Sequence, residues 1–185
     1  MFKRVSVYGL AFGSMSAAML LIQYLNGLYR ERSLVSAIPV IANMVIPAIG
    51  VYLFMKSLYS MVSDKPMNLG KALFGSLLVS VLIALCNVGA YQHILTGQPA
   101  IVQDLTTRNH TAIEKHFASP YVESEEDGAM AEEDRLQRIE EAKTNFQENM
   151  AIGSFARAQF MMCLSLGMVV SLLVYVRNQN RGVPA

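Results

Sequence analysis

The sequence predicts an all-α protein, a four-helix transmembrane bundle with a helical hairpin outside the membrane between spans 3 and 4. Three observations predict it. Hydrophobic residues make up 53% of the 185-residue chain and charged residues only 16%, where soluble domains carry about 25% charge. Four runs, 5–28, 34–55, 72–95 and 158–176, contain no Asp, Glu, Lys or Arg. At a rise of about 1.5 Å per residue, each is near the length needed to cross a hydrocarbon core of roughly 30 Å. The third observation is charge segregation: residues 98–153 hold twelve acids against five bases, about −7, while the rest of the chain carries about +8. That polar segment would repel phosphates, so nucleic acid is excluded as a partner and the lipid bilayer takes its place.

Span 1 follows Met1-Phe2-Lys3-Arg4 and runs from Val5 to Leu28. A charged start and an apolar run also describe a secretory signal, but this run exceeds the usual signal core of about 7 to 15 residues and has no convincing A-x-A site. It is expected to be retained. Span 2, Leu34 to Met55, contains Pro39 and Pro47; proline frees backbone groups that lipid cannot satisfy, so a kinked helix packed against protein is expected. Residues 56–71 form a polar connection. In span 3, Ala72 to Leu95, the small residues Ala72, Ser76, Ser80 and Ala84 recur every four positions, a stripe that lets another helix approach closely. Gly9 and Gly13 supply the same spacing in span 1. Packing within one bundle is the plainer use of such stripes, and a homo-oligomer face is the other.

After Pro99 the pattern becomes amphipathic. Ile101, Val102, Leu105, Ala112, Ile113 and Phe117 fall on one side of a helical wheel, opposite Gln103, Asp104, Thr107, Glu114 and Lys115. Ser119-Pro120 ends that helix and Tyr121 to Gly128 is an acidic loop. A second helix carries Leu136, Ile139, Phe146 and Met150, with Lys143 in the place of one apolar seam residue. Such a short seam suits an antiparallel hairpin. Residues 151–154 alone separate it from span 4, so the two helices should be nearly continuous.

An even number of spans puts both termini on one side. Lys3, Arg4, Lys56, Lys65, Lys71, Arg177 and Arg181 cluster there, against Arg30 and Arg32 opposite, which makes that side cytoplasmic.

Several short motifs resemble a bacterial membrane family catalogued as domain of unknown function 4199. They are Tyr8-Gly9-Leu10-Ala11-Phe12-Gly13, Gly50-Val51-Tyr52-Leu53-Phe54-Met55-Lys56-Ser57, Leu69-Gly70-Lys71-Ala72-Leu73-Phe74-Gly75, and the acidic helical segment before span 4. The resemblance implies a four-span, multi-pass protein of the bacterial inner membrane, with no catalytic residues to carry over.

With no ionisable group in any span, proton coupling and voltage sensing are disfavoured. Intramembrane catalysis lacks an acid, a base and an activated nucleophile. No phosphate loop, G-x-S-x-G or H-E-x-x-H motif is present, and no cofactor is expected. The polar residues Gln23, Asn43, Asn87, Gln92 and His93 form a candidate outward-facing cluster, with Asn43 and Asn87 at similar depth. Interhelical hydrogen bonding is the plainer reading; a substrate cleft of a small channel or transporter component is the alternative. Cys86 and Cys163 are read as free, buried thiols. His110, Glu114 and His116 do not share one face, so no metal site is assigned. The acid-rich arm, above all Glu123, Glu125, Glu126 and Asp127, is either a solvated cap or a docking surface for a basic protein partner or divalent cations. The function expected is a non-enzymatic interaction or assembly role through that arm.

Overall fold

The computed structural model describes residues 1–28, 34–60, 68–118 and 132–179. Among these residues there are six helices and no strand: α1 (Phe2–Leu25), α2 (Leu34–Tyr59), α3 (Leu69–Gly97), α4 (Pro99–Phe117), α5 (Glu132–Met150) and α6 (Ile152–Gln179). Four of them, α1, α2, α3 and α6, are long and apolar enough to cross a membrane. Their charged residues, Lys3, Arg4, Lys56, Lys71, Arg157 and Arg177, stand near the helix ends, where long side chains reach water.

Local signals set the helix ends. Span 1 was expected to reach Leu28, but α1 stops at Leu25 because Gly27 adopts a left-handed φ of 65°. Its N–H bonds back to the Tyr24 carbonyl at 3.1 Å, and Asn26 N–H bonds to Ile22 at 3.1 Å, closing the last turn as a glycine cap does. Helix α3 starts at Leu69, before the expected Ala72, because the Asn68 side chain accepts from Gly70 N–H at 2.8 Å and caps it. Helix α2 runs unbroken through Pro39 and Pro47 to Tyr59, and Pro47 is fully buried against the bundle.

The packing around α3 explains why the sequence places small residues where it does. Helix α3 lies between α1 and α6 and also touches α2, while α2 bridges α1 and α6 on the other side. Gly9 and Gly13 of α1 sit directly over Leu82 and Cys86 of α3, and Gly167 of α6 sits over Ser80. The stripe Ala72, Ser76, Ser80 and Ala84 has no exposed surface at all, so it serves packing inside one bundle. With no aqueous drive to bring helices together in lipid, close backbone approach and dispersion do that work.

The core is divided in two. Val5, Val51, Phe54, Met55, Val79, Ile83 and Cys163 form one cluster toward the end that carries both termini. Leu20, Ala90, Tyr91 and Ile94 form the other, beneath the hairpin, with Ile101, Ile152 and Phe155 packed on it. The hairpin helices α4 and α5 are antiparallel: Glu114 meets Lys143 and His110 meets Phe146.

Candidate functional site

Two polar pairs lie in sequence between the apolar clusters. Ser16 Oγ of α1 donates to Asn43 Oδ1 of α2 at 2.9 Å, and Asn87 Nδ2 of α3 donates to Gln159 Oε1 of α6 at 3.1 Å. Buried amides in lipid must find partners, and these four residues tie the helices pairwise across the bundle. Asn43 and Asn87 are both buried, each held by its own partner. The other members of the candidate cluster are placed differently: Gln23 is half-buried near the end of α1, while Gln92 and His93 are exposed on α3. His93 lies beside Gly97. Asn43 and Asn87 are therefore bundle linkages, and Gln92 and His93 belong to the outer surface.

Sequence reasoning did not single out Ser16 or Gln159. Ser16 is one of three serines in α1, with Ser6 and Ser14, and carries no distinguishing signal. Gln159 had one, as the only amide in 158–176, but with span 4 taken to begin at Ala158 it stood at the boundary. Helix α6 begins six residues earlier at Ile152, which sets Gln159 two turns inside it. Arg157 is thereby helical too; its guanidinium is exposed and donates to Ser154 Oγ at 3.2 Å.

The hairpin is mounted through Tyr91. Its ring stacks on Phe155 with centroids 3.9 Å apart and meets Tyr24 edge-on at 6.0 Å. Its hydroxyl donates to the Met150 carbonyl at 2.9 Å, satisfying one of the acceptors left open at the end of α5. Only Ala151 separates α5 from α6, and only Gln98 separates α3 from α4, with Pro99 fixing the first turn. No family model, curated protein or solved structure matches this chain. The site must be read from its own geometry.

On the arm itself, the seam position occupied by Lys143 is used for charge: Lys143 Nζ donates to Glu114 Oε1 at 2.6 Å. That hydrogen bond, reinforced by the ammonium's charge, holds the Glu114 carboxyl below the ordinary carboxylate range. Arg108 Nε–H is shared between the two carboxylate oxygens of Asp104, at 3.0 and 3.1 Å. The seam is otherwise shallow. No residue of α4 is buried, Ala112 is exposed although the wheel puts it with the apolar side, and Leu136 of α5 is 56% exposed. Acids Glu133, Asp134, Glu140, Glu141 and Glu148 line the open surface of α5, those of the first turn matched to the positive end of the helix dipole.

Glu123, Glu125, Glu126 and Asp127 lie outside the described residues, as do Arg30 and Arg32. The His110 ring meets Phe146 edge-on, with its Nε2 buried and without a hydrogen-bond partner, and the His116 ring meets Phe117 edge-on. Among the described residues no three His, Cys, Asp or Glu side chains gather in a metal-binding group. Cys86 and Cys163 are free thiols, the first half-buried and the second buried.

Proposed function

We propose that this chain is a non-enzymatic interaction or assembly protein of the bacterial inner membrane, which displays its acidic hairpin to a basic protein partner outside the cytoplasm. The observation that carries this reading is the fixed mount of the arm: Tyr91 bonds the end of α5 and stacks on α6, so the hairpin projects from the bundle through helix-to-helix junctions of one residue each. A surface held in one orientation loses less entropy on docking than a tethered one. Its open acids supply electrostatic complementarity to a basic surface. The excess of bases at the end bearing both termini favours a cytoplasmic placement of that end, which puts the arm on the opposite side. The alternative, a small channel or transporter component, has less support because Asn43 bonds Ser16, and Asn87 is buried with its Nδ2 on Gln159 and its Oδ1 without a partner rather than open to solvent.

Photo-crosslinking in native membranes tests the reading, with probes placed in turn at Glu125 and Gln137. One and the same protein recovered from both positions, and lost when Glu140 and Glu141 are changed to Lys, supports docking. Recovery of nothing but lipid and the protein itself would leave the arm as a solvated cap.

A further inference from the structure

On the surface of the bundle, residues of α2 and α6 line a groove of about 530 Å³. Its walls are Met44, Ala48 and Ile49 from one helix and Leu166, Val170 and Leu173 from the other. The groove lies among residues that a bilayer would surround. From Met44 to Tyr52 and from Leu166 to Arg177 it extends about 12 to 16 Å at 1.5 Å per residue, which is close to half of a hydrocarbon core of roughly 30 Å. That length matches one leaflet.

The end of the groove is chemically different from its walls. Tyr52, Val174 and Arg177 line both the groove and a second hollow of about 240 Å³, which adds Lys56, Tyr59 and Asn178. Among the described residues no carboxylate lines either stretch. Among the described residues neither Lys56 nor Arg177 makes an ion pair, and the Tyr59 hydroxyl is buried without a hydrogen-bond partner. Two cations with no ion pair among the described residues, each in the last turn of its helix, and an unmet hydroxyl thus stand at the mouth of an apolar slot of one-leaflet length, on the end of the bundle bearing the termini.

We infer that this groove is a binding site for an anionic glycerophospholipid, with one acyl chain between α2 and α6 and the phosphate against Lys56 and Arg177. Acyl methylenes fill the walls; the guanidinium of Arg177 and the ammonium of Lys56 hold the phosphate oxygens, and Tyr59 and Asn178 supply neutral donors. Arg4 stays with α2, donating to the Ser57 carbonyl at 2.6 Å and to the Ser57 hydroxyl. A zwitterionic lipid would fit the slot equally well but brings its own cation to a cationic mouth, so selectivity resides in charge.

The test uses the full chain, purified and delipidated in detergent, and native mass spectrometry with dioleoyl phosphatidylglycerol or dioleoyl phosphatidylcholine, which share acyl chains. Expected is a one-lipid adduct favouring phosphatidylglycerol by about 25-fold, two cations at the roughly fivefold each that is typical of basic side chains at anionic lipid surfaces. The double variant Lys56→Gln, Arg177→Gln should abolish the preference, whereas Lys3→Gln, Lys71→Gln, at the same end but off the groove, should retain it. Ala48→Phe, which fills the slot, should weaken both adducts. Equal binding of the two lipids, equal loss of preference in the two double variants, or a dimer whose formation excludes lipid would each overturn the assignment.

Discussion

Gly13→Ala tests whether α1 rests on α3 as closely as the small residues suggest. A Cβ added there would lie 2.7 Å from Cys86 Sγ, 3.0 Å from Cys86 Cβ and 3.3 Å from the Ile83 Cα, all inside the 3.5 to 4.0 Å at which carbon atoms attract. The last contact is to backbone and cannot be relieved by a rotamer. Overpacking of this kind costs about 1 to 3 kcal/mol. Alanine also raises helix propensity by about 1 kcal/mol, which would mask part of that cost. Gly89→Ala provides the reference, since a Cβ there meets nothing within 4 Å. The difference in unfolding free energy between the two variants should therefore be about 1 to 3 kcal/mol, with Gly13→Ala the less stable, measured by SDS titration in mixed micelles. Adding Cys86→Ala removes the sulfur that collides first, so the double variant should recover about 1 kcal/mol relative to additivity. Equal stability of Gly13→Ala and Gly89→Ala, or strict additivity with Cys86→Ala, would refute the close approach of α1 to α3.

Tyr91→Phe keeps the stack on Phe155 but strips the Met150 carbonyl of its donor; a loss of about 1 kcal/mol is expected, with faster amide exchange confined to the α5–α6 junction. Asn43→Leu leaves Ser16 Oγ without its acceptor, and the cost should be about 0.6 to 2 kcal/mol by the same SDS titration. Losing that cost in a Ser16→Ala background would show that the pair acts as a unit. Because the folded Glu114 carboxyl is held below its ordinary value of 4.5 by Lys143, the pair's contribution to hairpin packing is present above that value and fades as pH falls through the folded one. The Glu114 carboxyl resonance should follow that titration and return to the ordinary range in Lys143→Gln; an unchanged titration would remove the ion pair from solution. In folded protein a membrane-permeant maleimide should label half-buried Cys86 before buried Cys163, and alkylation without reductant should find both thiols.

Fold class was legible because a span declares itself by what it lacks: four stretches without charge can be counted with no knowledge of their partners. Helix limits were less legible where a run of apolar residues stood in for a helix. Span 4 was bounded at Ala158 because Arg157 precedes it, yet an arginine near a helix end can extend into the interface while its backbone stays hydrogen-bonded, and α6 continues back to Ile152. The opposite occurred at Leu28, where apolar character outlasted the helix and Asn26-Gly27 marked the stop.

Pairing is what a four-residue repeat leaves open. Gly9 and Gly13 announce that some helix comes close, and Ala72, Ser76, Ser80 and Ala84 announce the same, but the period is identical whether the neighbour is α1, α6 or a second copy. Packing resolves it by volume: the glycines of α1 take Leu82 and Cys86, while Ser80 takes Gly167 of α6. Helix α3 thus meets Gly167 of α6 with Ser80 and the glycines of α1 with Leu82 and Cys86, while Asn43 of α2 takes Ser16 as its partner and Asn87 takes Gln159. Equal depth along two helices does not by itself make two residues neighbours, since depth fixes one coordinate and the rotation of each helix about its axis fixes the other. The groove between α2 and α6 follows from the same geometry. Helix α2 packs chiefly on α1 and α6 chiefly on α3, and Met44, Tyr52 and Leu173 are left facing outward at 40% exposure or more, so the slot is the seam between two helices whose main partners differ, and Lys56 and Arg177 at its mouth give it chemical selectivity.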